Sequence, residues 1–277
     1  MYHDEQHRIY PGHPLFAWCD KACHDATNLR NATRFRQRNL FTGLQKTPEK
    51  RHPLEQEVID ELEKAIPLMN VAHRRKVLSD WDEEADGAPP AFEDIPDMYS
   101  MLSPDKPLVS YSQLVGMMTH LNNPDYNTDA LCANACQKMI RISVKDMKGF
   151  FNSLKKYKAA PEKFTGRPNM PGYWRKGSAS TVVFTADGIH YNEHVDSSGE
   201  VCWYSLTLPK APEPLRLGQH LPAGQIKEVR IVPYFKFFVI HICTEDGLAP
   251  PSVASRSRRI AAIDLGVDNF AAMVNNC

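Results

Sequence analysis

The spacing of apolar residues changes once along this chain, and that change restricts the folds open to it. Before Thr181 the apolar residues recur every three or four positions; beyond it they alternate or run together. Leu15, Trp18, Cys19, Ala22 and Ala26 keep helical spacing, and Leu29, Ala32, Phe35 and Leu40 continue that side less regularly, predicting helix over most of 14–46. Leu54, Val58, Ile59 and Leu62 predict a second helical region over 53–80, which Pro67 interrupts or restarts. Tyr111–Leu121 reads as a short helix. Leu131, Ala135, Met139, Ile142, Met147, Phe151 and Leu154 predict a long one ending near Lys158, with Asn127-Thr128-Asp129 as its cap. Thr181–Thr185, Gly188–Tyr191, Val201–Leu208 and Ile226–Thr244 then read as strands, separated by Asp187-Gly188, Ser197-Ser198-Gly199 and a proline-rich loop at 209–222. Two more strands are expected within 260–275. The fold class is therefore α+β.

The formal charge of the 277 residues is zero, yet it is unevenly spread. Residues 1–50 carry 8 Lys/Arg against 5 Asp/Glu, and 51–110 carry 6 against 14. Residues 111–180 carry 11 against 4, and 181–277 carry 8 against 10. A strongly basic middle is thus hidden by an acidic neighbour, where Asp82–Pro107 reads as a proline-rich loop. The start has no cationic-then-apolar secretory pattern, and no apolar run approaches a membrane span. Seven cysteines without such a leader do not suggest a disulfide framework. These features predict a cytoplasmic protein with no membrane partner.

Within the basic middle, Lys138, Arg141, Lys145 and Lys148 share one helix face, which Lys155 and Lys156 extend. Lys163, Arg167, Arg175 and Lys176 follow in a Pro- and Gly-rich stretch at 159–180, with Tyr173 and Trp174 among them. Clustered cations suit phosphates and interleaved rings suit unpaired bases, although a solvated helix face has the same pattern. Arg30, Arg34 and Arg38 stand four apart on the first helix. Arginine favours bidentate phosphate contacts, and few acids lie nearby in sequence. Cys19, Cys23 and His24, and Cys132 with Cys136, lack the C-x-x-C spacing of structural zinc sites and fit a helix core better.

The sharpest single residue is Asp264. In Ile260-Ala261-Ala262-Ile263-Asp264-Leu265-Gly266 an apolar run ends on a carboxylate and a tight turn, before a second apolar run. A carboxylate at the end of a dry strand calls for a metal ion, a cationic partner or a nest of hydrogen bonds. Three readings remain: a turn-capping Asp, the first metal ligand of an RNase H-like nuclease, or the phosphate loop of a sugar-kinase or actin-like ATPase. The 263 residues ahead of Asp264 fit the ATPases poorly, because that loop normally opens them.

Taken together, these segments resemble the transposon-encoded RNA-guided nucleases of the TnpB kind (OrfB of insertion sequences) and the small type V CRISPR effectors. The resemblance runs through His13–Asp20 with Asn28–Ala32, residues 131–157, Gly166-Arg167-Pro168 with Pro171-Gly172-Tyr173, Leu206–Pro209 and Ile226–Ile231. Its most specific piece is Ile263-Asp264-Leu265-Gly266-Val267-Asp268-Asn269, similar to the first RuvC motif. It implies at most a stub of a wedge barrel at 1–10, over His7–Tyr10, a helical recognition domain at 11–160, an oligonucleotide-binding-like β-barrel wedge at 161–256, and the start of a RuvC domain at 257–277. It also implies guide RNA and target DNA as partners, and two Mg²⁺ or Mn²⁺ ions with Asp264 as catalytic residue and metal ligand. The family's catalytic Glu, final Asp and zinc ribbon do not occur here. The expectation is therefore a part of such a nuclease, inactive alone and completed by a missing C-terminal half. A non-catalytic RNA- or DNA-binding protein is the alternative.

Overall fold

The computed structural model describes residues 1–82, 87–222 and 224–248, and the backbone of 261–264 and 272–275. Among the described residues four α-helices precede most of the strands: α1 (Phe16–Gly43), α2 (Pro53–Ser79), α3 (Tyr111–His120) and α4 (Ala133–Ala159). Strand β1 (Tyr2–Ile9) comes before them. After them follow β2 (Val182–Thr185), β3 (His190–Val195), β4 (Val201–Thr207), β5 (Leu215–Gly218), β6 (Gln225–Pro233) and β7 (Phe238–Glu245). The protein is α+β.

The helices form where the apolar spacing predicts, and local chemistry sets their ends. Pro53 opens α2, whose first turn is closed by a reciprocal pair: Leu54 N–H donates to His52 Nδ1 (3.2 Å), and His52 N–H donates to Glu55 Oε2 (2.8 Å). Ser110 and Gln113 close α3 in the same way. Pro67 does not interrupt α2. It lies on the exposed side, so the Glu63 carbonyl that loses its helical partner faces water, which lowers the cost. Residues 127–129 do not cap α4, which starts at Ala133. Thr128 Oγ1 instead accepts the N–H groups of Ala130 (3.3 Å) and Leu131 (3.1 Å), closing a separate turn, and donates to Asp25 Oδ2 (2.7 Å).

The strands make two antiparallel sheets, ordered β1-β7-β6-β2 and β3-β4-β5. The predicted 226–244 strand is two strands joined by a hairpin, and β5 lies within the predicted proline-rich loop. Residues 1–10, expected to hold at most a short strand near His7–Tyr10, form an eight-residue strand paired with β7 from Tyr2↔Glu245 to Ile9↔Phe238. Among the described residues no pairing joins the two sheets, so the expected barrel is not closed by hydrogen bonds. A further antiparallel pair joins β8 (Ala261–Asp264) to β9 (Ala272–Asn275). The turn between them lies outside the described residues.

The four-stranded sheet is two-sided, as alternation requires. Its inner face carries Ile9, Val182, Phe184, Val229, Ile231, Phe238, Ile240 and Ile242, all buried. Helix α1 lies on that face: Trp18 stacks on Phe184 (5.9 Å between ring centres) and Phe16 meets Phe238 edge-on (5.2 Å). Helices α2 and α4 pack on α1, and α3 on α2. Gly116 permits the α3–α2 contact, since a Cβ there would stand 2.4 Å from Met69 Sδ. One continuous core runs from Ile9 to Ile242.

Candidate nucleic-acid interface

Helix α4 is amphipathic in a way that separates its two duties. Ala135, Cys136, Met139, Ile140, Val144 and Met147 are buried, and Ser143 lies among them. Arg141, Lys145, Lys148, Lys155, Lys156 and Lys158 are exposed on the other side. Lys156 and Lys158 occupy the last turn, where the helix dipole favours cations. Two residues at the edge of this face are already engaged. Lys138 Nζ lies 3.2 Å from Glu228 Oε2, and the Arg141 guanidinium sits 4.8 Å over the Tyr111 ring. Lys145, Lys148, Lys155 and Lys156 have no ion-pair partner among the described residues.

After α4 the chain runs back over α1 as an extended strap, 164–181. α1 holds it by its backbone. Arg38 Nη1 donates to the carbonyls of Met170 (3.4 Å) and Pro171 (3.0 Å). Asn31 and Trp174 exchange two hydrogen bonds, Asn31 Nδ2 to the Trp174 carbonyl (3.1 Å) and Trp174 N–H to Asn31 Oδ1 (2.8 Å). Ser180 N–H donates to the Cys23 carbonyl (3.0 Å). Thus anchored, the strap presents Arg167, Tyr173, Trp174, Arg175 and Lys176 to solvent, and Lys163 is exposed just ahead of it. Trp174 remains 45% exposed although the Arg30 guanidinium lies 4.4 Å from its centre, and Tyr173 is 52% exposed beside Arg38 (5.7 Å).

The arginine row thus differs from its sequence expectation. Arg34 is only 5% exposed; it donates to Gln37 Oε1 (3.1 Å) and to Asp146 Oδ2 on α4 (3.2 Å). Arg30 Nη2 lies 3.7 Å from the same carboxylate oxygen. Burial lowers both guanidinium pKa values and Asp146 pulls them back up, so both groups stay charged at neutral pH. Arg30, Arg34 and Arg38 join α1, α4 and the strap; they are not a free phosphate stripe. Sequence distance hid this, because Asp146 lies more than a hundred residues from Arg34.

The cysteine pairs lie in the core or, for the partly buried Cys132, against it. Cys19, Cys23 and Cys136 are fully buried, and burial pushes the Cys19 thiol up to about 12 and the Cys136 thiol up to about 11. Asp264 ends β8, opposite Ala272, and its side chain lies outside what is described. Among the described residues no three His, Cys, Asp or Glu side chains converge as metal ligands would. The residues described therefore do not make up a Mg²⁺ or Mn²⁺ centre.

Sequence reasoning missed one surface, the outer face of the four-stranded sheet. Cross-strand register places Asp4, Cys243, Glu228 and Thr185 in one row, and Gln6, His241, Arg230 and Val183 in the next. His241 Nδ1 contacts Asp4 (3.0 Å) and Arg230 Nε donates to Glu228 (2.6 Å). The alternation Lys227-Glu228-Val229-Arg230-Ile231-Val232 was the available signal; it shows that a face is polar but not which residues share it. No protein-family model matches this chain, and no curated protein matches it in sequence.

Proposed function

We propose that this chain binds nucleic acid through the outward face of α4 and the strap that follows it, as the RNA- and DNA-holding part of an RNA-guided nuclease of the TnpB or type V kind. One observation carries the binding reading: Lys145, Lys148, Lys155, Lys156, Lys163, Arg167, Arg175 and Lys176 are exposed and unpaired among the described residues, around two ring systems held half in solvent. Clustered on one surface without acidic partners among the described residues, these cations offer the charge that phosphates require, and Tyr173 and Trp174 add stacking surfaces. Guide RNA and target DNA are the partners this reading names. The two sheets, with β1 completing the first of them, would serve as the wedge, and the six described cysteines are all free, which suits a cytoplasmic protein. Among the described residues no helix is long and apolar enough to cross a membrane.

The nuclease part of the proposal rests on Asp264 and its neighbours in sequence. One carboxylate binds a divalent ion weakly, so no cutting is expected from this chain alone. A second reading, a protein that binds RNA or DNA without cleaving it, needs only the exposed cations and rings and no metal ligands. Two measurements test these readings. RNA affinity should fall steeply between low and physiological salt, and a flat response would remove the binding proposal. With guide RNA, target DNA and Mg²⁺ the chain should not cut. A polypeptide supplying further carboxylates should restore cutting, which Asp264→Ala should then abolish; no restoration leaves the non-catalytic reading.

A further inference from the structure

The hairpin between β6 and β7 is closed by the Tyr234 N–H bonded to the Phe237 carbonyl (2.9 Å). Its rings are already ordered. Tyr234 and Phe237 lie 5.0 Å apart and parallel to within 1°, and Tyr10, just past the end of β1, stands 5.3 Å from Phe237. Yet these rings do little for the core. Phe235 is 94% exposed, Tyr234 52% and Tyr10 50%. Strand alternation explains why Phe238 points inward and Phe237 outward. It does not explain three more rings gathered at one exposed tip.

The charges around the tip identify the occupant. Lys236 Nζ lies 5.5 Å from the Phe235 ring. Arg8, on the outer face two residues before Tyr10, is exposed and has no ion-pair partner among the described residues. The acids of this face, Asp4, Glu228 and Glu245, sit at the other end of the sheet, where they pair with His241, Arg230 and Lys227. Asp4 is six residues from Tyr10 along the strand, roughly 20 Å. The tip end therefore offers cations without acids beside preordered ring faces.

We propose that the β6–β7 hairpin tip, with Tyr10 and Arg8, is a stacking platform for unpaired nucleotides, separate from the α4 surface. The choice of ligand rests on the nucleic-acid reading above; the location does not. A single strand exposes base faces that rings can stack on, whereas a duplex hides them, so the platform discriminates between the two.

The test uses the whole chain at low salt, with a labelled oligouridine RNA and a duplex RNA of equal length followed by fluorescence anisotropy. Tyr234→Ala/Phe235→Ala removes two exposed rings that are no part of the core. It should weaken oligouridine binding about tenfold or more and leave the duplex within about twofold. Phe235→Trp should keep oligouridine affinity, and the new indole should be quenched by oligouridine but not by duplex. Lys145→Ala/Lys148→Ala should weaken both ligands. If the lysine variant binds like the parent while the tip variant loses oligouridine, the α4 surface is wrong and the platform stands. If the tip variant binds oligouridine like the parent, or the parent does not bind it, the platform is wrong. It is equally wrong if the tip variant instead loses self-association or binding to anionic vesicles with oligouridine affinity unchanged.

Discussion

Two sets of cations stand in the helical half of this molecule, and they put their charge to different uses. The arginines of α1 point inward, where they share Asp146, hold the strap carbonyls and lie under Trp174 and beside Tyr173. Lys145, Lys148, Lys155 and Lys156 of α4 point outward and have no ion-pair partner among the described residues; only Lys138, at the edge of the row, is engaged, with Glu228. In sequence the two rows look alike, with spacings of three and four and few acids at hand. The lesson is that one distant carboxylate decides whether a basic row is scaffold or interface. Guanidinium suits the scaffold, since its planar fork can bond a carboxylate or two carbonyls while lying flat on a ring. Ammonium suits the interface, being strongly hydrated and costing little to leave in water.

The largest expected effect comes from emptying the outward row. Lys145→Ala, Lys148→Ala, Lys155→Ala and Lys156→Ala combined should lower RNA affinity about a hundredfold near physiological salt. The slope of log affinity against log salt should shrink by about 0.7–0.9 for each phosphate that is no longer neutralised. Thermal stability should scarcely change, because none of the four is buried or paired among the described residues. A variant that melts early but binds normally when folded would invert the comparison.

The inward row predicts the opposite pattern. Asp146→Ala leaves Arg34 charged and 5% exposed with only Gln37 for a partner, which should cost about 2 kcal/mol in urea unfolding. That is less than a fully buried pair would cost, since the Asp146 side chain is 37% exposed. Arg34→Met in the same chain should recover more than half of the loss, because the unpaired charge disappears with it. RNA affinity per folded molecule should stay within about threefold in both variants. Additive losses in the double variant would mean that Arg34 and Asp146 do not act as a pair.

How far each row could be read in advance follows from the same contrast. The helices were legible because their apolar residues repeat locally: helix predicted within 14–46 and over 53–80 appears as Phe16–Gly43 and Pro53–Ser79. The exposed lysines were legible as a face, because α4 keeps its spacing throughout. β1 was mostly hidden, since Tyr2-His3-Asp4-Glu5-Gln6-His7-Arg8 is polar on both faces and finds its partner strand more than two hundred residues later. β5 was hidden by the prolines around it, and the start of α4 by Thr128, whose capping chemistry serves a turn instead. The inward turn of Arg34 and the tip rings share one cause: each depends on contacts across the fold that no local window contains.

A third use of a cation sharpens the comparison by pH. Lys46 is neither scaffold strut nor free surface; it lies 2.6 and 2.8 Å from the two oxygens of Glu55, in the first turn of α2. Burial alone would raise the Glu55 pKa, but the Lys46 ammonium, the His52 N–H and the Thr42 hydroxyl outweigh it and hold the carboxyl down at about 2, against an ordinary 4.5. A depressed carboxylate stabilises the fold fully above its unfolded pKa, and that contribution fades as pH falls from about 4.5 to about 2. Glu55→Gln should therefore cost about 2 kcal/mol at neutral pH and flatten the acid limb of the stability curve in that window. Lys46→Met should remove part of the same dependence, because the His52 N–H bond survives it. Lys145→Met should leave the acid limb where it was, since an outward cation without a carboxylate partner shifts no carboxyl pKa. An unchanged acid limb in Glu55→Gln would show that Lys46 contributes nothing beyond its hydrated charge, and the three-way division of cations would collapse to two.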